Sequence, residues 1–237
     1  MNREEKRLYS EIEEMLLQMR DPKNAAFLSA LLPETDPSRV LGIRSPVLRK
    51  TAASLKKEGK EALFLSVLPH RYLDEDQIHA FLISSMKDYA ECMKELERFL
   101  PYTDNWAVTD AIRPAVIRKH LDKTEPVLFG WLTSDHPFAV RTAVGLFMAY
   151  YLDAGFRKEQ MERIASLDTA QYYVHMAVAW YMATALAKQP EAAMELLRQN
   201  RMDAKTHNKT IQKACESFRV SEDMKQVLRT MKRSKQV

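Results

Sequence analysis

The sequence is poor in glycine, with 5 glycines in 237 residues, whereas ordinary usage predicts about 16. Few glycines leave few positions for tight hairpin turns, which disfavours an all-β fold. The chain is instead rich in Ala, Leu, Lys and Glu and carries 13 methionines, all of them good helix formers. These frequencies favour an all-helical protein.

Cysteine and long apolar runs are also scarce. Cys92 and Cys215 lie far apart and match no metal or redox spacing, so we expect each to be a small buried hydrophobic residue. The charged, amphipathic N-terminal segment lacks the unbroken apolar stretch of a signal peptide. No run of about 18 apolar residues follows, and the sequence therefore predicts a cytoplasmic protein with no membrane partner.

Several kinds of chemistry have no motif in this chain. It contains no glycine-rich phosphate loop, no GxGxxG, no GxSxG nucleophile motif and no HExxH zinc motif. The 6 histidines are scattered along the sequence, and a lone histidine on a helix is more often a surface or interior residue than a ligand. We therefore expect neither a metal nor a cofactor.

Positive charge is concentrated near the C-terminus. The formal net charge is +4, and residues 198–237 alone carry 11 Lys/Arg against 4 Asp/Glu. Lys205, Lys209 and Lys213 recur every four residues and so share one face of a helix. That face is a candidate surface for phosphates, and the alternative is an ordinary solvated face whose charges serve solubility.

Apolar spacing along the chain predicts a series of amphipathic helices with short breaks, punctuated by prolines. We expect Ser45 to cap a helix that has Pro46 at its first position. Helices are predicted over residues 3–19, 24–32, 46–59, 60–68, 74–87, 89–100, 105–119, 122–132, 137–151, 157–167, 170–188, 190–199, 203–217 and 221–232. Short links between them favour antiparallel pairs stacked into an α-solenoid, as one domain over residues 1–237. A compact helical bundle is the alternative.

Four residues are unusual for their surroundings. In "NWAVTD", Trp106 and Asp110 lie one helical turn apart. Arg141 is the only charge in the apolar segment "FAVRTAVGLFMAYY", and Trp180 lies in the most apolar predicted helix. A structural explanation stands beside a functional one: both tryptophans could belong to the core, and Arg141 could pair with Asp110, since an unpaired buried charge is costly.

The chain resembles the DNA alkylation repair family of HEAT-like proteins, the AlkD-type alkylpurine DNA glycosylases. The resemblance covers about residues 21–230 and rests on "FLSALL", "VLGIRSPVLRK", "NWAVTD", "FAVRTAVGLF", "VHMAVAWYMATALAKQPE" and "THNKTIQKACESFRV". In that family a Trp and an Asp lie one turn apart, an Arg follows in an apolar helix and a second Trp in a later helix. Here Trp106, Asp110, Arg141 and Trp180 fill those places.

The resemblance implies excision of N3- or N7-alkylated purines from double-stranded DNA by a monomeric enzyme without metal or cofactor. Such a base is already cationic and leaves without protonation, so Asp110 would stabilise the oxocarbenium-like sugar. The two tryptophans would offer aromatic faces to positive charge, and Arg141 would hold a phosphate or orient Asp110.

The same resemblance implies that the duplex lies along a concave basic face. Arg44, Arg49 and the three lysines at 205, 209 and 213 are the candidate phosphate contacts, together with the helix N-terminus after Ser45. Two other hypotheses remain open at this stage. One is a non-catalytic binder of damaged or branched DNA on a HEAT-like scaffold, and the other is a helical scaffold that binds an acidic protein.

Overall fold

The computed structural model describes residues 2–234, and over this range the protein is built from helices and turns without β-strands. The predicted all-α fold is therefore confirmed. The chain divides between Val116 and Ile117 into two compact units, each with its own hydrophobic core. The prediction of one domain over residues 1–237 stays a prediction.

The first unit contains seven α-helices. They are α1 (Arg3–Gln18), α2 (Pro22–Leu31), α3 (Ser45–Lys57), α4 (Glu61–Ser66), α5 (Leu73–Ser84), α6 (Tyr89–Phe99) and α7 (Trp106–Thr109), with short 3-10 turns at Pro37–Arg39 and Leu100–Tyr102. Helix α5 is buried from Leu73 to Ile83 and packs against α3, α4, α6 and α7. It is the central helix of this unit.

The first turn of α5 carries three consecutive buried acids, Asp74, Glu75 and Asp76, which we call the acidic turn. Asp74 and Glu75 are fully buried and Asp76 is 2% exposed. Burial raises the pKa of all three carboxyl groups above their ordinary values. Their place at a helix N-terminus is favourable for negative charge, because the backbone dipole is positive there.

Asp74 holds the loop that precedes α3. Its two carboxylate oxygens accept the backbone N–H groups of Leu41 (2.8 Å) and Ile43 (2.7 Å). Gly42 lies between them with φ +78°, a conformation that favours glycine. The carboxylate therefore satisfies two backbone donors of a buried loop that has no secondary structure to pair them.

Glu75 begins a hydrogen-bonded chain of buried titratable groups. It accepts the Tyr9 hydroxyl of α1 at 2.6 Å, and Tyr9 lies 3.0 Å from Nδ1 of His70. His70 Nε2 is 2.8 Å from His79 Nδ1, and His79 Nε2 is 2.8 Å from Glu95 on α6. Burial, followed by nearby cationic groups, lowers the pKa of His70 from 6.5 to about 3.

The second unit contains the other seven α-helices. They are α8 (Leu121–Leu132), α9 (Pro137–Tyr150), α10 (Lys158–Ala165), α11 (Tyr172–Lys188), α12 (Pro190–Arg198), α13 (Ala204–Glu216) and α14 (Glu222–Thr230), and a 3-10 turn at Ala115–Lys119 precedes them. Helix α11 packs against both α9 and α13.

Helices α9 and α11 run in the same direction. Phe138 at the start of α9 lies 4.9 Å, ring centre to ring centre, from Tyr173 at the start of α11, and Thr184 near the end of α11 contacts the sulfur of Met148 near the end of α9 at 3.3 Å. Facing residues are offset by about 35 residues, the length of one helix-pair repeat. Helices α8, α10 and α12 pack beside these helices as the other members of the pairs. This arrangement is the predicted stacking of helix pairs.

Two local predictions are wrong. The helix predicted over residues 105–119 is only the four-residue α7, because Pro114 lacks an N–H and disfavours helical geometry at Arg113. Ser45 is the first residue of α3 and not its cap. The N-cap residue is Arg44, whose carbonyl accepts the N–H groups of Val47 and Leu48. The Arg44 side chain makes no capping hydrogen bond.

The contact around Gly42 gives a stability prediction. A Cβ at Gly42 would lie 2.7 Å from the Cα of Ala25 and still closer to the Ala25 amide nitrogen. We expect Gly42→Ala to cost about 1–2 kcal/mol from its positive φ and about 1–3 kcal/mol more from overpacking, measured by urea unfolding. Gly59, with φ +69° and nothing within 4 Å of its Cβ position, is the matched control. Equal losses in the two variants would contradict the steric explanation.

The buried His70 predicts a dependence of stability on pH. The pKa of His70 in the folded protein, about 3, lies below the ordinary value of 6.5. The contribution of His70 to the free energy of unfolding is therefore complete above pH 6.5 and is lost as the pH falls towards 3. We expect the free energy of unfolding of wild type to fall more steeply than that of His70→Gln in this window, by up to about 1.4 kcal/mol per pH unit. Parallel pH profiles for the two proteins would show that His70 is not held neutral.

Candidate nucleic-acid interface

Trp106 and Asp110 lie one turn apart, as the sequence predicts. Asn105 caps α7 by accepting the Val108 N–H at 3.1 Å, and the Asp110 N–H donates to the Trp106 carbonyl at 2.9 Å. Asp110 is the C-cap residue of this single turn, and both side chains are partly exposed. The spacing is thus correct, although the helix around it is far shorter than predicted.

Trp106 is fixed by a contact that the sequence did not indicate. Its indole Nε1 donates to the carbonyl of Leu31 at 3.3 Å, at the C-terminal end of α2. The last carbonyls of a helix have no partner within the helix, so this bond satisfies one of them. The ring is therefore held at one edge while part of its surface stays open.

The acidic turn also holds the segment that carries Trp106 and Asp110. Arg39 pairs with Asp76 at 2.9 Å and with Asp104, which lies just before α7. Gln77, the next residue of α5, donates to the Ala107 carbonyl within α7 at 3.2 Å. Two buried side chains of α5 therefore tie α7 to the central helix of the first unit.

Arg141 is buried in α9, with 7% of its surface exposed. Its guanidinium donates to the Tyr173 carbonyl in the first turn of α11 at 3.2 Å. A buried cation requires such partners, since leaving it without hydrogen bonds is costly. Arg141 therefore connects α9 to the start of α11 in the second unit.

Trp180 lies on the surface of α11, with 39% of its area exposed, and is not a core residue. It lines a cavity of about 420 Å³, which we call the Trp180 cavity, with Lys213 of α13 and Arg219 of the following loop. The Glu216 carboxylate also lines the cavity, so an aromatic ring and an excess of one positive charge share its surface, a combination typical of nucleic-acid surfaces. Arg219 was not predicted from the sequence.

Lys205 and Lys209 line a second cavity, of about 850 Å³, which we call the Tyr172 cavity. Tyr172 and Met176 of α11 form its apolar side. The starts of α11 and α13 thus meet at one cavity and their later turns at the other, so the two helices run parallel. The sequence contains a sign that these α11 residues share one face: Tyr172, Met176 and Trp180 have the same four-residue spacing as the lysines.

Arg44 and Arg49, predicted to bind phosphate, both have local partners in the first unit. Arg44 lies 3.3 Å from the carboxylate of Asp21, and the Arg49 guanidinium lies 4.0 Å from the ring centre of Phe81. The backbone N–H of Asn24 and then Arg44 keep the pKa of Asp21 below its ordinary value. Both arginines are exposed to solvent, at the start of α3 and within it.

Residues 2–234 include possible metal ligands and apolar helices. No group of three or more His, Cys, Asp or Glu side chains in this range is arranged to hold a metal ion. No helix in the same range is long and apolar enough to cross a membrane. Cys92 is fully buried, as predicted, and burial raises its thiol pKa to about 12, whereas Cys215 is only partly buried.

Comparison with known proteins gives one family. The sequence model of that family, described as DNA alkylation repair enzyme, matches residues 12–218, which is most of the chain. No curated protein matches. The matched range includes α7, α9, α11 and α13, and so covers Trp106, Asp110, Arg141, Trp180 and the lysine row. The family name supports a role in enzymatic DNA repair with DNA as substrate. The chain belongs to the DNA alkylation repair enzyme family.

Proposed function

We propose that the protein is a monofunctional DNA glycosylase of the AlkD type that excises cationic N3- or N7-alkylated purines from double-stranded DNA. The observation that carries this proposal is the Trp106–Asp110 turn. An aromatic ring and a carboxylate are held next to each other, both partly exposed, on a segment tied to the buried α5. In this proposal the protein acts in the cytoplasm, on the nucleoid, as a monomer without a cofactor.

The chemistry requires little from the protein beyond positioned charge. The glycosidic C1′–N bond breaks, and its electron pair neutralises the cationic base, which leaves without a proton from the enzyme. The sugar becomes an oxocarbenium-like cation, and water then adds at C1′ and gives its extra proton to the surrounding solvent. The Asp110 carboxylate stabilises the sugar cation and accepts a hydrogen bond from the attacking water.

The other predicted residues take supporting roles. The faces of Trp106 and Trp180 attract positive charge by about 0.5–2 kcal/mol each, which favours a cationic lesion over a neutral purine. A guanidinium group does not act as a base in proteins, so Arg141 serves as a phosphate or carboxylate partner. The lysine row on α13 neutralises DNA phosphates, and Arg44 and Arg49 add to these contacts.

Asp110→Asn tests the catalytic role. We expect release of 7-methylguanine from methylated duplex DNA to fall about 10²–10³-fold, because the neutral amide no longer stabilises the sugar cation. Thermal melting should show that the fold is kept. Asp122→Asn, which removes an exposed carboxylate from the first turn of α8, is the matched control. Unchanged release by the Asp110→Asn variant would refute the role given to Asp110.

The same assay separates the enzyme from a non-catalytic binder. Tight binding of wild type to damaged or branched DNA without any base release would support the binder. Weak, salt-insensitive DNA binding would instead support a scaffold for an acidic protein partner.

Lys209→Gln tests the lysine row. The logarithm of the DNA association constant should fall less steeply with the logarithm of salt concentration, by about 0.9 in slope for one lost phosphate contact. Lys158→Gln is the control, since Lys158 on α10 pairs with Glu195 at 2.7 Å. Equal slopes for wild type and Lys209→Gln would show that Lys209 does not meet a phosphate.

A further inference from the structure

The Tyr172 cavity has an apolar wall and a basic rim. Tyr172 and Met176 form the wall, and Lys205, Lys209 and Lys232 bring three positive charges to the rim. The Asp203 carboxylate also lines the cavity, but it is already occupied as the cap of α13. It accepts the N–H groups of Lys205 (2.8 Å) and Thr206 (3.0 Å). The lining therefore keeps an excess of positive charge.

Lys232 reaches this cavity because the segment after α14 returns along α13. The Asn208 side chain makes two hydrogen bonds to this segment. Its NH₂ group donates to the Arg233 carbonyl at 2.7 Å, and its oxygen accepts the Arg233 N–H at 2.8 Å. His207 Nε2 lies 2.9 Å from the Met231 carbonyl. We call residues 231–233 the C-terminal strap. It lies beyond the range that the family model matches.

Tyr172 presents an aromatic ring beside this basic rim. Its surface is 55% exposed, and its ring packs edge-on against Tyr173, with centres 5.3 Å apart. An exposed ring that is held by a neighbour offers a flat face at little entropic cost. Aromatic faces and lysines side by side are the parts with which proteins bind the bases and phosphates of a nucleic-acid strand.

We propose that the Tyr172 cavity holds one nucleotide of the bound DNA strand, with its phosphate on Lys205, Lys209 and Lys232 and its base or sugar on Tyr172. The proposal rests on the proposed function and extends it to the C-terminal strap. Lys232 binds the phosphate directly, and Asn208 acts as a positioning residue because it holds the strap against α13.

In this proposal the strand runs along the groove between α11 and α13, and the rise of α11 then gives the position of the nucleotide. Tyr172 and Trp180 lie eight residues apart on α11, which corresponds to about 12 Å along the helix axis. At roughly 3.4 Å per nucleotide along one strand, this separation equals about three to four nucleotides. The nucleotide in the Tyr172 cavity therefore lies about that far from the nucleotide beside Trp180.

Salt titration of DNA binding tests the strap. The probe is a fluorescent duplex with a central tetrahydrofuran abasic-site analogue, and anisotropy gives the association constant. We expect Lys232→Gln to lower the salt slope by about 0.9, and Asn208→Ala to lower it by a similar amount although it removes no charge. Arg229→Gln is the control, because Arg229 on α14 pairs with Glu222 at 3.2 Å outside the cavity. A slope equal to that of wild type in Lys232→Gln overturns the proposal.

Strand truncation tests the Tyr172 contact. The labelled strand is shortened one nucleotide at a time from each end towards the abasic analogue. In one of the two series, wild type should lose affinity in a single step when the nucleotide that occupies the Tyr172 cavity is removed, and Tyr172→Ala should show no such step. The same step in wild type and Tyr172→Ala overturns the proposal.

Measuring base release by wild type distinguishes a failure of this inference from a failure of the proposed function. If wild type releases 7-methylguanine and both effects above are absent, the inference fails and the glycosylase stands. If wild type neither releases base nor binds the duplex, the glycosylase fails and the inference fails with it.

Discussion

The first unit depends on placing three carboxylates inside the protein, in the acidic turn of α5. Burying a charge costs free energy unless the site supplies strong hydrogen-bond partners. Each acid meets this requirement with a different segment: Asp74 with the loop before α3, Glu75 with Tyr9 of α1, and Asp76 with Arg39. One helical turn thereby fixes the positions of several segments that are distant in sequence.

This arrangement explains how so short a helix as α7 can hold the two side chains of the proposed site, Trp106 and Asp110. A single turn is unstable alone, because helix nucleation fixes several dihedral angles for one hydrogen bond. Gln77 and the Arg39 pairs compensate by attaching the turn to a buried helix, and the Trp106 indole attaches it to α2. In the proposed reaction the Asp110 carboxylate benefits from this fixed position, since no reorganisation is then needed as charge develops on the sugar.

The sequence predicted most of the helices because their apolar spacing is regular and prolines mark their limits. It failed over residues 105–119, where Pro114 outweighs the helical pattern, and it missed the acidic turn, whose residues read as an ordinary solvated start of a helix. Charged residues give no local indication of burial, because their partners lie up to 66 residues away, as Tyr9 and Glu75 do. Lysine spacing predicted that Lys205, Lys209 and Lys213 share one face of α13, whereas the position of Lys232 depends on a chain return that no periodicity encodes.

The parallel course of α9, α11 and α13 has an electrostatic consequence. Each helix has a partial positive charge at its start and a partial negative charge at its end, and parallel helices add these charges side by side instead of cancelling them. In the second unit the starts of α11 and α13 both lie at the Tyr172 cavity. The backbone therefore makes the Tyr172 cavity the positive end of the groove between α11 and α13, independently of the lysine side chains.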